Sequence, residues 1–406
     1  MTSSIGAEEY RARQHALRTL ARERRLDAVL AWSRGGGTQD RSAAVLYLTG
    51  HYTPQPFVPD LPAESPGEWR WRAAGHAAAV VETEGSVTVI VDGERLQDPP
   101  PTADSTVASP DPVATVAELV MGSRARRVGV LGGDALPARW ARCLTERLGP
   151  RVDLVEADEL GWRLRAVKSP AERSLMRRAG ALGARAMEAA MAAAVPGARE
   201  ADVAAALAAE VVRDGGAVYD VVLSSGQWAH TLAPSGGPAG AAGYTTRRLS
   251  SGDLLRVDGY GSLGGYLFDL ARSRVVGRPP SRAQRLLLDA VRDSVRTGVA
   301  ALRPGVTLGA VARRCDEALA ASAYSREHGP PASVMGGAWG HGLGLAFEPP
   351  WIHPRSEVVA EEGMCLAIER RIEAPGLGGT QYEDDVLVGA KGAELLTPLR
   401  AEFEQP

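Results

Sequence analysis

Two stretches in the C-terminal half of the chain repeat one pattern of apolar and acidic positions. Gly252-Asp253-Leu254-Leu255-Arg256-Val257-Asp258 and Gly363-Met364-Cys365-Leu366-Ala367-Ile368-Glu369 both open on glycine, pass through mostly apolar residues and deliver an acid six places later. A glycine-rich turn follows each, and then a second acid-bearing segment, Tyr266-Leu267-Phe268-Asp269 or Thr380-Gln381-Tyr382-Glu383. Short apolar runs bounded by turn residues predict strands, so each unit predicts a pair of strands with an acid on both arms. Helical runs precede both units, and Val195-Pro196-Gly197 and Arg303-Pro304-Gly305 mark equivalent points where a helix stops and another starts. The repetition predicts two related halves packed about a pseudo-two-fold axis, with the acids where the halves meet.

Upstream, helix and strand patterns alternate. Residues 8–25 predict a charged helix, Asp27-Ala28-Val29-Leu30-Ala31 a strand, and Ala44-Val45-Leu46-Tyr47-Leu48-Thr49 a second strand. Residues 77–92 predict a hairpin turning at Glu84-Gly85, followed by helices near 112–121 and 136–148 and strands at 127–131 and 151–156. A Pro-rich stretch over 50–76, carrying Trp69 and Trp71, interrupts them; loops that long are either functional or solvated insertions. Ser169-Pro170-Ala171-Glu172 is a capping box with proline at the first helical position, and opens a helix running to about Val195. A second helix is expected from about Glu200 to Arg213, and a loop rich in Gly, Ala and Pro over 226–243. At 406 residues the chain exceeds one ordinary core. The expected fold class is α+β: a compact α/β domain over 8–157, then an antiparallel-rich domain over 165–404.

Composition narrows the chemistry. A formal net charge of −3 with 23% charged residues offers nothing to nucleic acid or an anionic membrane. Arginine far exceeds lysine (Lys168 and Lys391), an excess that suits base composition better than phosphate binding. Cys143, Cys315 and Cys365 are odd in number and far apart, so no disulfide framework or zinc knuckle is implied. Without a signal-peptide pattern or a bilayer-length apolar run, a cytoplasmic protein is expected. What changes the picture is Asp258, Asp269, Glu369 and Glu383 taken with His341 in Gly340-His341-Gly342. Four carboxylates and one imidazole suit two divalent ions of Mn, Co, Fe or Zn. Two dications balance four carboxylates, which lowers the cost of burying them. A bridging water acidified toward hydroxide would then be the nucleophile of a hydrolase.

These segments resemble the pita-bread metallopeptidase family, M24, which includes Xaa-Pro aminopeptidases, prolidases, methionine aminopeptidases and creatinase. Val257-Asp258-Gly259 with Asp269 eleven positions on is similar to its first motif, and Asp269-Leu270-Ala271-Arg272-Ser273 to its Asp-x-Thr-Arg-Thr. Gly340-His341-Gly342-Leu343-Gly344-Leu345 resembles its histidine motif, and Glu369 with Glu383-Asp384-Asp385-Val386-Leu387-Val388 its last two. Residues 8–157, including Leu46-Tyr47-Leu48-Thr49-Gly50, resemble the creatinase-type N-terminal domain, and Lys168-Ser169-Pro170-Ala171-Glu172 the start of the catalytic domain. The resemblance implies that Asp258 holds one metal and that Asp269 bridges both. His341 and Glu369 would hold the second, with Glu383 as the other bridge. It also implies a homodimer in which the 50–76 loop could line the partner's pocket.

Departures from the family lie beside these ligands. Its peptidases place a histidine in the loop before the first metal strand, where an ungapped count reaches Ala241; the nearest imidazole is His230. Either His230 takes that role as donor to an oxyanion, or it is an ordinary loop histidine. A second histidine is expected in a His-Glu-Pro-Pro pattern after His341. Ala346-Phe347-Glu348-Pro349-Pro350 puts Phe347 there, or Glu348 by an ungapped count, and His353 lies too far along without the loop bending back. Gln381 stands where prolidase-type members carry arginine, as in the methionine aminopeptidase branch. Arg370 or Arg371 could supply a cation instead, although strand alternation sends one of them away. The candidate catalytic residues are therefore His230, Glu348 and Gln381. The function expected is hydrolysis of a C–N bond in a short peptide, Xaa-Pro-like. The alternatives are a small-molecule enzyme resembling creatinase or ectoine hydrolase in role, and a non-catalytic peptide- or protein-binding relative.

Overall fold

A computed structural model describes residues 5–35, 43–53, 75–92, 100–231, 244–331, 335–400 and 403. Most of the 50–76 stretch with Trp69 and Trp71, and the part of the 226–243 loop that holds Ala241, lie outside the described residues. The chain divides into two compact units, Thr2–Arg165 and Ala166–Pro406.

The first unit runs α1 (Ala7–Glu23), β1 (Ala28–Arg34), α2 (Ala43–Thr49), β2 (His76–Glu82), β3 (Val87–Val91), β4 (Ser105–Ala108), α3 (Pro112–Gly122), β5 (Arg127–Leu131), α4 (Ala138–Leu148), β6 (Asp153–Glu156) and α5 (Asp158–Ala166). Six strands form one mixed sheet in the order β4-β3-β2-β1-β5-β6. Its central strands are buried on both faces, as their unbroken Ala, Val, Leu and Ile runs require. One expected strand is absent: Ala44–Thr49 belongs to the helix α2. A short continuous apolar run fits a buried strand or a buried helix equally well. Here contacts distant in sequence decide, because Arg13 and Gln14 of α1 donate to the carbonyls of Tyr47 and Leu48, which the end of a helix leaves without partners. The strand β4 and the helix α5 carry no strong periodicity and were not expected.

The second unit repeats itself. Its first half is α6 (Pro170–Ala193), α7 (Glu200–Arg213), β7 (Ala217–Ser225), β8 (Leu254–Leu263) and β9 (Tyr266–Val275). Its second half is α8 (Arg282–Ala301), α9 (Leu308–Ala320), α10 (Ala323–His328), β10 (Gly340–Leu343), β11 (Phe347–Glu348), β12 (Cys365–Ala374), β13 (Gly378–Val388) and β14 (Ala393–Leu395). Both halves start their first helix with a capping box, Ser169 with Glu172 and Ser281 with Gln284. The strands join in the order β11-β10-β12-β13-β9-β8-β7, so β13-β12-β10 mirrors β9-β8-β7 about the central pair. This is the pita-bread arrangement with its pseudo-two-fold repeat.

Alternation then sorts the side chains. Leu255, Val257, Phe268 and Leu270 pack against α6 and α7, while Leu366, Ile368, Ile372 and Val386 pack against α8 and α9. The residues between them in sequence face the other side of the sheet, and all the acids singled out above are among these. No helix among the described residues is long and apolar enough to cross a membrane.

Gly340 starts the strand that carries the histidine. Its φ is +134°, and a Cβ there would lie 1.9 Å from the carbonyl oxygen of Ala367 on β12. Gly340→Ala is expected to cost at least about 2 kcal/mol. Urea unfolding checks this, and an unchanged midpoint would contradict the packing described.

Candidate metal centre

Strand register arranges the inner face of the sheet in rows. Asp258 pairs with Ala271, Ala271 with Glu383, and Glu383 with Glu369, so three acids stand in one row across β8, β9, β13 and β12. One step along the strands is two residues, about 6.6 Å at roughly 3.3 Å per residue. On one side that step holds Tyr260 paired with Asp269, and Asp385 and His341 both paired with Ala367. On the other it holds Ser224 and Ser273 paired with Arg256, and Gln381 paired with Arg371. The Ser273 hydroxyl links the two central strands there, donating to the Gln381 carbonyl and accepting from its N–H.

Side chains close this lattice into one cluster. His341 Nε2 lies 3.6 Å from Asp269 Oδ2 and 3.8 Å from Glu369 Oε1. Asp269, His341 and Glu383 each offer a ligand atom within 4.8 Å of the other two. Asp258 and Glu369 are tied together by the Gln381 amide, whose Nε2 donates to Asp258 Oδ2 at 3.0 Å and Glu369 Oε2 at 3.2 Å. The structure thus brings together all five expected ligands and Gln381.

The cluster resists carrying its negative charge. Burial, and then the neighbouring Glu369, push Asp258 up to about 7, and burial pushes Glu369 up to about 7 as well. Asp269 and Glu383 are held well above the ordinary carboxylate range, by burial first and by the surrounding carboxylates second. Burial holds His341 below its usual value, which favours the neutral ring. Its Nδ1 lies 3.0 Å from the Gly342 carbonyl oxygen. A carbonyl only accepts, so Nδ1 carries the proton and the Nε2 lone pair faces Asp269 and Glu369. A lone pair aimed at two carboxylates is repulsive unless a proton or a metal ion sits between them. Asp258 Oδ1 and Glu383 Oε1 are buried without a hydrogen-bond partner among the described residues. Oxygen donors with one neutral imidazole fit divalent metal ions.

Behind the row, the opposite face of the sheet braces it. Arg272 pairs with Asp384 at 2.7 Å, lies over the Tyr382 ring and donates to the Glu383 carbonyl at 2.6 Å. Asp385 accepts from the Asp269 N–H at 2.9 Å, and its own N–H donates to Thr397 Oγ1. The adjacent acids Asp384 and Asp385 therefore serve opposite faces, and each holds a neighbour of the cluster in place.

The other candidates are placed as follows. Phe347 lies on the face that carries His341, with ring centroids 5.4 Å apart, and Tyr260 and Trp351 stand at 5.6 Å from Phe347 and 5.9 Å from His341. Glu348 points the other way and is buried; a Cβ on Gly344 would meet Glu348 Oε1 at 3.7 Å and Lys168 Nζ at 3.5 Å. His230 lies in the loop after β7, where its Cα would be 2.7 Å from a Cβ on Gly379 of β13, and its Nδ1 is 2.6 Å from the Gln227 carbonyl oxygen. His353 is a half-buried loop residue, its ring hydrogen-bonded to the Gly336 carbonyl and the Arg355 N–H. Of the two arginines after Glu369, Arg371 stands on the inner face, while Arg370 crosses to the outer one over Trp339. Sequence reasoning missed Arg256, Asp385 and Tyr260; the spacing of Arg256 two residues before Asp258 on one strand was the available signal.

Comparison with known proteins points to one family and one fold. The profile of metallopeptidase family M24 matches residues 174–390. A protein described as "Probable dipeptidase PepE" from Mycobacterium tuberculosis is 34% identical over 278 residues, covering 65% of this chain and 68% of that protein. An Xaa-Pro dipeptidase from Pyrococcus furiosus is 31% identical over 246 residues, covering 59% of this chain and 65% of the other. Among solved structures, the dipeptidase PepE from Mycobacterium ulcerans superposes with a TM-score of 0.75 at 27% identity, covering 98% of this chain and 97% of that one.

Removing the arginine behind the acid row tests the brace. Arg272→Met leaves Asp384 buried without its cation and is expected to cost about 3–5 kcal/mol. Chemical denaturation measures it, and a loss below about 1 kcal/mol would show that the pair does not support the row.

Proposed function

The chain belongs to metallopeptidase family M24, and on that premise we propose that it hydrolyses short Xaa-Pro-type peptides with two divalent metal ions. The observation that carries this reading is the buried row of acids with the neutral His341 lone pair aimed among them. Asp258 and Asp269 would hold one ion, and His341 and Glu369 the other, with Asp269 and Glu383 shared. Bound there, such ions supply Lewis acidity toward a peptide carbonyl and make bound water acidic enough to attack near neutral pH. A donor set of four carboxylates and one imidazole suits Mn, Co, Fe or Zn.

The chain's own residues supply the rest. Gln381 fixes one oxygen each of Asp258 and Glu369, so those carboxylates present defined lone pairs. His230 has its Nδ1 engaged by the Gln227 carbonyl, which leaves Nε2 for a substrate group above the start of β13. Phe347, Tyr260 and Trp351 wall the His341 side with aromatic surface that a pyrrolidine ring can pack against. Glu348, turned to the opposite face, has no part in the proposed reaction.

A second reading, a hydrolase of a small non-peptide amide, is favoured by one observation. Phe347 occupies the place beside His341 where the family's peptidases are expected to carry a second histidine, so a proton donor is exchanged for an apolar wall.

Activity on Xaa-Pro dipeptides and tripeptides separates the readings. Manganese-loaded protein is expected to turn over dipeptides, to lose the activity on chelation, and to lose at least about a thousand-fold in kcat/KM on Asp269→Asn. Turnover by chelated protein, or near-normal turnover by Asp269→Asn, contradicts the metal reading. Loaded protein that ignores every peptide but cleaves a small amide establishes the second.

A further inference from the structure

Beyond the acids lies a row whose arginines the proposed hydrolysis does not use. Its ends are two arginines, Arg256 on β8 and Arg371 on β12, with Ser273 and Gln381 between them. Arg256 is fully buried. Its Nη2 donates to Ser224 Oγ and to the Thr231 carbonyl in the loop after β7, while Nε and Nη1 have no hydrogen-bond partner among the described residues. Arg371 keeps 16% of its side chain exposed, pairs through Nη2 with Glu373 at 3.0 Å, and has a buried Nε likewise without a partner. Both side chains rise from the inner face, at positions two residues from Asp258 and Glu369.

Charge accounting gives these groups a purpose. Without metal, the guanidinium groups offset the carboxylates beside them. Two dications neutralise the four carboxylates of the cluster, and the arginines then face only Glu373 among the residues named. A buried cation with unsatisfied N–H groups is costly, and a planar carboxylate meets guanidinium forks with paired, charge-assisted hydrogen bonds.

We propose that Arg256 and Arg371 form a subsite that binds a carboxylate of the substrate beside the metal centre, making the protein selective for anionic short peptides. The proposal rests on the metal-loaded reading given above. One row is about 6.6 Å, which puts the subsite within reach of two carboxylates: the C-terminal one of a dipeptide, or an Asp or Glu side chain next to the scissile bond. Thr231, held by Arg256, bounds the subsite on the β7 side.

Calorimetry on manganese-loaded protein tests this with probes that lack a peptide bond. Proline against prolinamide reads a terminal carboxylate, and glutamate α-amide against glutamine amide reads a side-chain one. The anionic member of at least one pair is expected to bind about ten-fold or more tightly than its neutral partner. Arg256→Met and Arg371→Met are each expected to erase that preference with bound manganese unchanged; should Arg256→Met fail to fold, Arg371→Met carries the test, with Arg371→Lys expected to restore part of the preference. Equal binding within both pairs, or a preference that survives Arg371→Met, overturns the subsite. Metal content measured on the same samples separates the two claims. Loaded protein without an anion preference overturns the subsite alone, whereas protein that binds no metal overturns the functional reading and the subsite with it.

Discussion

Mutual repulsion among buried carboxylates is the constraint on which the rest of the catalytic unit depends. Two unit charges 4 Å apart interact by about 4 kcal/mol at an effective dielectric constant near 20. Several such pairs on one dry face would consume a domain's whole stability of about 5–15 kcal/mol. Asp258, Asp269, Glu369 and Glu383 escape this by holding protons, which is why all four are raised, or by sharing cations. His341 cannot help as a cation, since burial keeps it neutral. Its lone pair adds to the demand for metal.

The duplicated half meets that demand with little chain. Each half contributes a hairpin whose two arms carry acids on one face and core residues on the other, and the halves join through the single central pairing of β13 with β9. Any shift of register by one residue would turn the acids into the helical core and the leucines into the site. The outer brace of Arg272, Asp384 and Thr397 sits where it can oppose such a shift, because it binds β9 to β13 from behind. The arginine row shows what else register does. It fixes charge type by distance along the strands, with histidine and aspartate on one side of the acid row and guanidinium groups on the other.

Much of this was legible in the sequence because it depends on local spacing. The acids on paired strands, the Gly-His-Gly segment and the capping box at Ser169 are short patterns with one sensible reading, and Glu200–Arg213 is ended by Gly215 and Gly216. Features decided by distant contacts were not legible. Ala44–Thr49 becomes a helix because side chains of α1 satisfy its end, and the apolar run alone does not reveal that. The strand β7 mixes exposed and buried positions and lacks a clean alternation. Alternation from Glu369 puts Arg371 on its face, but the partnership of Arg371 with Arg256 needed four strands in register.

The claim at the centre of this account is that divalent ions occupy the row of acids, and anomalous diffraction from manganese-loaded crystals reads it directly. Two peaks, one within coordinating distance of Asp258 and Asp269 and the other of His341 and Glu369, with Asp269 and Glu383 contacting both, are the predicted result. A map with no anomalous peak among these five residues, from protein shown to be folded and fully exposed to manganese, would contradict it.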